Sequence, residues 1–243
     1  MPEAGTMALI PIVGIGEVRT GNDLADDLTA ALAPANPAGP ALLEGDVLVV
    51  TQKVVSKAEG KLVPLDGDDP QAKAALVERE SVRIVRRRGD LIISETKHGF
   101  ICANAGIDLS NVDDGVAALL PDDADRSARR LRAGLKARLG VDIGVIISDT
   151  FGRPWRRGVT DIAIGSAGVA AVIDLKGTLD ANGRTLVATE ICVADELASA
   201  AELVMGKDRG IPAAIVRGVP ASWLRTSSVQ AEIVRPPAED LFR

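Results

Sequence analysis

The sequence predicts a mixed α+β or α/β fold, with sheets packed against helices, on three observations. Apolar runs of strand length are interspersed with segments of helical spacing. A hairpin signal at Asn182-Gly183 breaks any strict strand–helix alternation. Hydrophobic residues make up 47% of the 243, yet there is no Tyr, with three Phe and two Trp. A core of Val, Ile, Leu and Ala suits sheets covered by small aliphatic helices rather than a surface on which bases stack.

The elements follow in order. "MALIPIVGIG" predicts a short strand and a Gly-containing loop, and "NDLADDLTAALA" a helix capped by Asn22 or Asp23. After the loop "PANPAGP", residues 46–50 predict a buried strand that runs into a polar segment carrying Gln52, Lys53, Ser56 and Lys57. "QAKAALVERESVRIVRRRG" opens as an amphipathic helix, and "GDLIISETKHGFICANAGIDLSNV" alternates strand-like pieces with turns. "DADRSARRLRAGLKARLG" predicts a helix with Leu131, Leu135 and Leu139 on one face. Its basic face, Arg126, Arg129, Arg130, Arg132 and Lys136, reads as solvated.

That helix leads into the strand "VDIGVIISDT", ending at Asp149-Thr150, a strand–helix–strand order whose carboxyl edges carry sites. "VTDIAIGSAGVAAVIDL" is apolar and Gly-rich, "KGTLDANGRTLVATEICV" reads as the hairpin, "ADELASAAELVMGK" as a helix ending at Gly206, and "IPAAIVRG" as a strand. The tail ends in Pro-Pro and a polar terminus. Without repeats or low-complexity linkers, residues 1–243 read as one domain, or as two intertwined lobes.

Composition excludes several classes. With 28 Lys and Arg against 34 Asp and Glu, the net charge is -6, which argues against general affinity for nucleic acid or anionic membrane. The N-terminus lacks the basic region and long apolar stretch of a signal peptide, and no run approaches a membrane span. A cytoplasmic protein is expected. Cys102 and Cys192 have no CxxC or Cys/His spacing and read as free buried thiols in a reducing compartment. His98 is the only histidine, so no multi-histidine metal site exists, and a Ser-His-Asp relay would need an unidentified serine.

The acids are more informative. Asp108 and Asn111 lie three apart in a Gly-containing loop, and Asp149-Thr150 follows a buried strand. An acid there is costly unless it is paired, hydrogen-bonded or metal-bound. Carboxylates and a hydroxyl are hard oxygen ligands suited to Mg²⁺ or Mn²⁺. A salt bridge from Asp149 to a neighbouring arginine is the competing reading. Arg153, Arg156 and Arg157, framed by Gly152, Pro154 and Gly158, could grip an anion bidentately. "GIGEVRTG" places Arg19 where a third dinucleotide-binding glycine belongs, and no Walker A loop occurs. The turn around Gly14 and Gly16 could still present N–H groups to an anion, and Lys57 a point charge to a phosphate. A plain turn and a solvated lysine are the alternatives.

Taken together, "PIVGIGEVRTGNDLADDL", "GDVLVVTQKVVSKAEG", "NAGIDLSNV", "ISDTFGRPWRRGVTDIAIGSAG", "ADELASAAELVMGK" and "IVRPPAEDLFR" resemble the coenzyme F420-0:L-glutamate ligase family, in order over nearly the whole chain. The resemblance implies an α+β fold of unusual topology, assembled as an interlocked homodimer. It implies a GTP-dependent ligase that adds L-glutamate to a deazaflavin precursor, F420-0, through an acyl phosphate. Ile15, Gly16, Glu17 and Val18 would hold the nucleotide with Lys57, Asn111 and Gln52, the last at a position where a family member has Ser. Asp108 and Asp149 would bind one Mg²⁺ or Mn²⁺ ion and Thr150 a second, with K⁺ as a further cation. Glu190 and Glu196 are additional candidates for the second ion, and the three arginines for substrate carboxylates or phosphodiester. Some members fuse this unit to a reductase-like domain, so a stand-alone form or a fragment of a fusion is expected. The rival readings are a ligase acting on another carboxylate acceptor and a non-catalytic nucleotide-binding module.

Overall fold

The computed structural model describes residues 5–65 and 69–240. The first four residues of the N-terminal stretch and the last three of the polar tail lie outside them. In chain order the elements are β1 Ala8–Pro11, α1 Leu24–Ala31, β2 Val47–Thr51, α2 Gln52–Ala58, β3 Leu62–Pro64, α3 Pro70–Glu80, β4 Ser81–Arg88, β5 Leu91–Thr96 and β6 Ile101–Ala103. There follow β7 Val116–Ala118, α4 Ala124–Leu139, β8 Gly144–Gly152, β9 Val159–Ala167, β10 Ile173–Asp174, β11 Glu190–Ile191, α5 Val193–Met205, β12 Ala213–Arg217 and α6 Val229–Glu232. The α+β expectation holds: helices pack on a five-stranded sheet and three smaller ones.

The large sheet has the order β1-β12-β2-β8-β9, antiparallel except for the central parallel pair of β2 and β8. Its middle strands are apolar throughout because both faces are covered. Leu48, Val50, Val145, Ile147 and Ile215 face one layer, where Leu28 of α1 and Leu131 and Leu135 of α4 pack. Val47, Val49, Ile146, Ala214 and Val216 face the other, against Leu197, Ala201 and Met205 of α5. Asp23 caps α1, as read from the sequence, and Gly206 ends α5.

The chain between α2 and α4 forms the smaller sheets, β3-β7 and β4-β5-β6, with α3 packed alongside. Phe100 meets Phe151 edge-to-face, with ring centroids 6.1 Å apart, and joins this part to β8. The expected hairpin is present as the β10-β11 pair and a Leu179–Thr185 bridge, with Gly183 at φ +78°.

Two boundaries differ from expectation. The polar segment after β2 is a helix, α2, because Gln52, Val55 and Ser56 are buried on its inner side while Lys53 and Lys57 reach the acids of neighbouring loops, Asp108 and Glu17. The strand expected to stop at Asp149-Thr150 continues to Gly152, because β9 pairs with it past the acid. No helix of the described residues is long and apolar enough to cross a membrane. Both cysteines are free, Cys102 buried and Cys192 half-buried, and burial pushes each thiol up to about 12.

Candidate active site

A cavity of about 540 Å³ opens at the carboxyl ends of the parallel strands β2 and β8. Such ends are where open sheets with parallel strands place their ligands. It is lined by all four of Ile15, Gly16, Glu17 and Val18, by Gln52 and Lys57 of α2, and by Asp108, Asn111, Asp149 and Thr150. These residues span most of the chain, and tertiary structure alone assembles them.

Each has a local cause. The loop from Val13 to Asn22 is pinned by Val18, which is buried, and by the Gly21 N–H donating to the Ala58 carbonyl at 3.0 Å. Gly14, at φ +82°, takes a turn that an L side chain rarely adopts. Lys57 Nζ forms an ion pair with the Glu17 carboxylate, so helix α2 and the loop meet at the rim. Gln52 is buried, and its Nε2 donates to Ser56 Oγ and, at 2.9 Å, to the Leu119 carbonyl. Its donors are thus engaged in fixing α2 to the end of β7.

Asp108 heads a tight turn. Its Oδ1 accepts from the Ser110 N–H at 2.7 Å, and Asn111 sits at φ +52°, a left-handed conformation that Asn tolerates. Burial raises the Asp108 carboxyl, but the Lys53 ammonium and the Ser110 N–H outweigh it and hold it below the usual carboxylate range.

The β8–β9 ladder supplies the rest. A bulge falls between Ile147 and Ser148: Ile147 pairs with Gly165 but Ser148 with Ala163, so Ile164 is the extra residue. Beyond it Thr150 stands directly opposite Asp161. Strand alternation sends Asp149 toward the layer of Ile147 and Phe151, and sends Thr150 toward the opposite layer with Ser148. Thr150 Oγ1 donates to Asp161 Oδ1 at 2.7 Å, and Ser148 Oγ to Oδ2 at 3.2 Å. Lys207, after α5, donates to Thr150 Oγ1 and lies 2.8 Å from Asp161 Oδ1.

Asp149 is open to the cavity but otherwise surrounded by protein. Burial pushes its carboxyl up to about 7; the Thr150 N–H opposes that rise, the Asp108 and Asp161 carboxylates add to it, and Lys207 opposes it. No arginine forms an ion pair with Asp149 among the described residues, so the salt-bridge reading does not hold; the cation whose charge favours its ionised form is Lys207.

Three sets of predicted residues lie elsewhere. Arg153, Arg156 and Arg157 occupy the tip between β8 and β9, outside the cavity lining; Arg153 Nη2 donates to the Arg157 carbonyl at 3.3 Å. Glu190 is on β11, paired with Lys176 at 2.9 Å, and Glu196 is in the first turn of α5; neither lines the cavity. His98 lines a different cavity, with Glu80 and Asp122. Conversely, Lys53, Ser148, Asp161, Glu202 and Lys207 line the cavity without having been singled out as site residues. For Asp161 a signal was present: Gly152 and Gly158 bracket a turn, and folding "DTFGRPWRRGVTD" back on itself sets Thr150 against Asp161.

The F420-0:Gamma-glutamyl ligase family model matches residues 13–218. The coenzyme F420:L-glutamate ligase of Methanothermobacter thermautotrophicus is 44% identical over 252 residues, covering 98% of this chain and 99% of the relative. The protein of the same name from Methanopyrus kandleri is 44% identical over 256 residues, covering 98% of each. That from Methanocaldococcus jannaschii is 40% identical over 216 residues, covering 82% of this chain and 85% of its own.

Proposed function

The chain belongs to the F420-0:Gamma-glutamyl ligase family, and from that premise we propose that it is a GTP-dependent ligase joining L-glutamate to the deazaflavin precursor F420-0, then γ-linked to longer forms, in coenzyme F420 biosynthesis. The observation that carries this reading is the cavity at the ends of β2 and β8, where a nucleotide-sized space meets five carboxylates and three lysines.

The donor set fits a hard divalent cation. Asp108, Asp149, Asp161 and Thr150 offer only oxygen, which favours Mg²⁺ or Mn²⁺ over a softer ion. Among the described residues no three acidic, His or Cys side chains converge as a ready-made metal cage. That suits ions whose shell is completed by phosphate oxygens and water. In this reading Asp108 and Asp149 hold one ion and Thr150 a second, with K⁺ as a further cation. Bound there, the ions supply charge neutralisation for the triphosphate.

The chain's own groups do the positioning. The backbone of residues 15–18 and the Asn111 side chain seat the nucleotide, Gln52 offers its carbonyl oxygen, and Lys57 places a point charge by the phosphates. The acceptor carboxylate attacks the γ-phosphorus and GDP leaves, giving an acyl phosphate. The glutamate amine then attacks the acyl carbon, forming the amide and releasing phosphate. Orientation and electrostatics are sufficient for such a transfer. The tip arginines, carrying no acidic partner among the described residues, would receive glutamate carboxylates or the precursor's phosphodiester.

A homodimer is supported by exposed Val82, Val85, Leu91 and Ile101 on the sheet of β4, β5 and β6, apolar side chains that a second copy would cover. A cytoplasmic setting is supported by the two free thiols.

The test is the mass of the product after incubation with GTP, L-glutamate, Mn²⁺ and F420-0, in which each added glutamate gives one discrete step. GTP turnover with glutamate but without the deazaflavin would move the assignment to another acceptor. GTP binding without phosphate release in the full mixture would make the chain a non-catalytic nucleotide-binding module.

A further inference from the structure

Two acids of the cavity, Asp161 and Glu202, are assigned no ion in that reading. Asp161 is 1% exposed, so its carboxylate is held where an uncompensated charge is expensive. It accepts from two hydroxyls, those of Ser148 and Thr150, and its charge is met by the Lys207 ammonium at 2.8 Å. The same ammonium donates to Thr150 Oγ1 and lies 3.5 Å from Glu202 Oε1. A cation therefore sits among one hydroxyl and two carboxylates, in a position lined by oxygen.

The two partners differ in freedom. Asp161 is fixed by a β-ladder and a bulge, whereas the Lys207 side chain is 51% exposed on a flexible four-carbon stem just past the end of α5. Burial and the Asp161 charge push the Glu202 carboxyl up, with Lys207 opposing, so the acids repel one another wherever the ammonium leaves without replacement. An ammonium and a divalent ion cannot share the position, because like charges a few ångströms apart repel strongly at a partly desolvated site.

We propose that Asp161 is the acid that holds the cation beside Thr150, and that Lys207 is a displaceable placeholder for that cation. Loading the site is then an exchange: the ammonium swings into solvent as the divalent ion takes Asp161 and Thr150. The inference deepens the metal reading above and rests on it. Removing the ammonium should therefore strengthen metal binding, since Lys207 competes for the same oxygens.

The experiment titrates the full chain with Mn²⁺ alone, without nucleotide, following the free ion by electron paramagnetic resonance. Lys207→Met should move at least one binding step to lower concentration by about tenfold, roughly 1.4 kcal/mol. Asp161→Asn should weaken a step by about tenfold or more, with a thermal melt recorded to show that it is folded. If Asp161→Asn does not fold, the exposed Lys207→Met variant decides alone. Unchanged or weaker Mn²⁺ binding by Lys207→Met, in a protein that binds Mn²⁺ as wild type, overturns the placeholder while leaving the metal reading intact. No Mn²⁺ binding by any variant or the wild type removes both. The expected Mn²⁺ curves without ligation product support the placeholder and remove the ligase reading instead.

Discussion

Lys53 Nζ lies 2.7 Å from the Asp108 carboxylate and also donates to the carbonyl and hydroxyl of Ser110, at 2.5 and 2.7 Å. A helix that continues β2 thereby grips a loop 57 residues later in the chain. Because the lysine is mostly buried, the contact should exceed an ordinary surface ion pair. Lys53→Met is expected to lower stability by about 1–2 kcal/mol, read as a shift of the urea midpoint. It should also weaken GTP binding several-fold, because Asn111 stands on the released loop. Retained stability with unaltered GTP affinity would mean that the turn around Asp108 holds itself.

Much of this site was legible locally and its assembly was not. Asp149-Thr150 is conspicuous because an acid and a hydroxyl follow an apolar run, and Asp108 and Asn111 because polar residues crowd a glycine turn. What joins them is the parallel pairing of β2 with β8, which brings Gln52 and Lys57 beside Asp149 and has no signature in either segment alone. Asp161 escaped notice because the apolar run after Gly158 reads as core, and the one-residue bulge at Ile164 that re-aims the ladder leaves no mark in composition. α2 was hidden by its length, seven residues carrying too little periodicity to separate a helix from a polar loop.

Gly165 lies at that bulge, where α4 begins against the sheet. A Cβ there would stand 2.3 Å from the Ala124 carbonyl carbon and 2.4 Å from its oxygen, and backbone cannot step aside as a side chain can. Displacing this turn would also disturb Asp125, which accepts from the N–H groups of Ser166, Val229 and Gln230. Gly165→Ala should cost about 1–3 kcal/mol or more in thermal denaturation. Gly152→Ala, with open space around its Cβ, should stay within about 0.5 kcal/mol and is the control. Equal melting of the two would show that α4 can shift off β9 freely.

The tip arginines bear on substrate and not on folding. Arg156 and Arg157 are exposed beyond the ends of β8 and β9, so their loss should change stability by less than about 0.5 kcal/mol. Arg156→Ala and Arg157→Ala should each raise KM for glutamate or for F420-0 about tenfold while leaving KM for GTP in place, as expected when a charge-assisted hydrogen bond to one substrate is lost. Movement of neither acceptor nor glutamate KM would make the tip a structural or dimer-contact feature.

Acid should loosen the C-terminal segment. Glu232 of α6 receives both Arg225 guanidinium nitrogens, Nη1 at 2.6 Å and Nη2 at 2.9 Å, and accepts from the Val172 N–H at 3.1 Å. Burial works to raise its carboxyl, but the Arg225, Val172 and Ser227 donors together hold it below the ordinary carboxylate value. A carboxyl depressed by folding binds its proton more weakly in the native than in the unfolded chain, so its stabilisation is present above the unfolded value and fades as pH falls through the folded one. Urea midpoints for wild type and Glu232→Gln, taken from pH 7 down to pH 3, isolate this group, because the other carboxyls titrate alike in both proteins. The variant should be less stable at pH 7, and the gap should close on acidification. A gap that stays constant with pH would show that Arg225 fastens the segment through its bonds to the Val172 and Thr226 carbonyls instead.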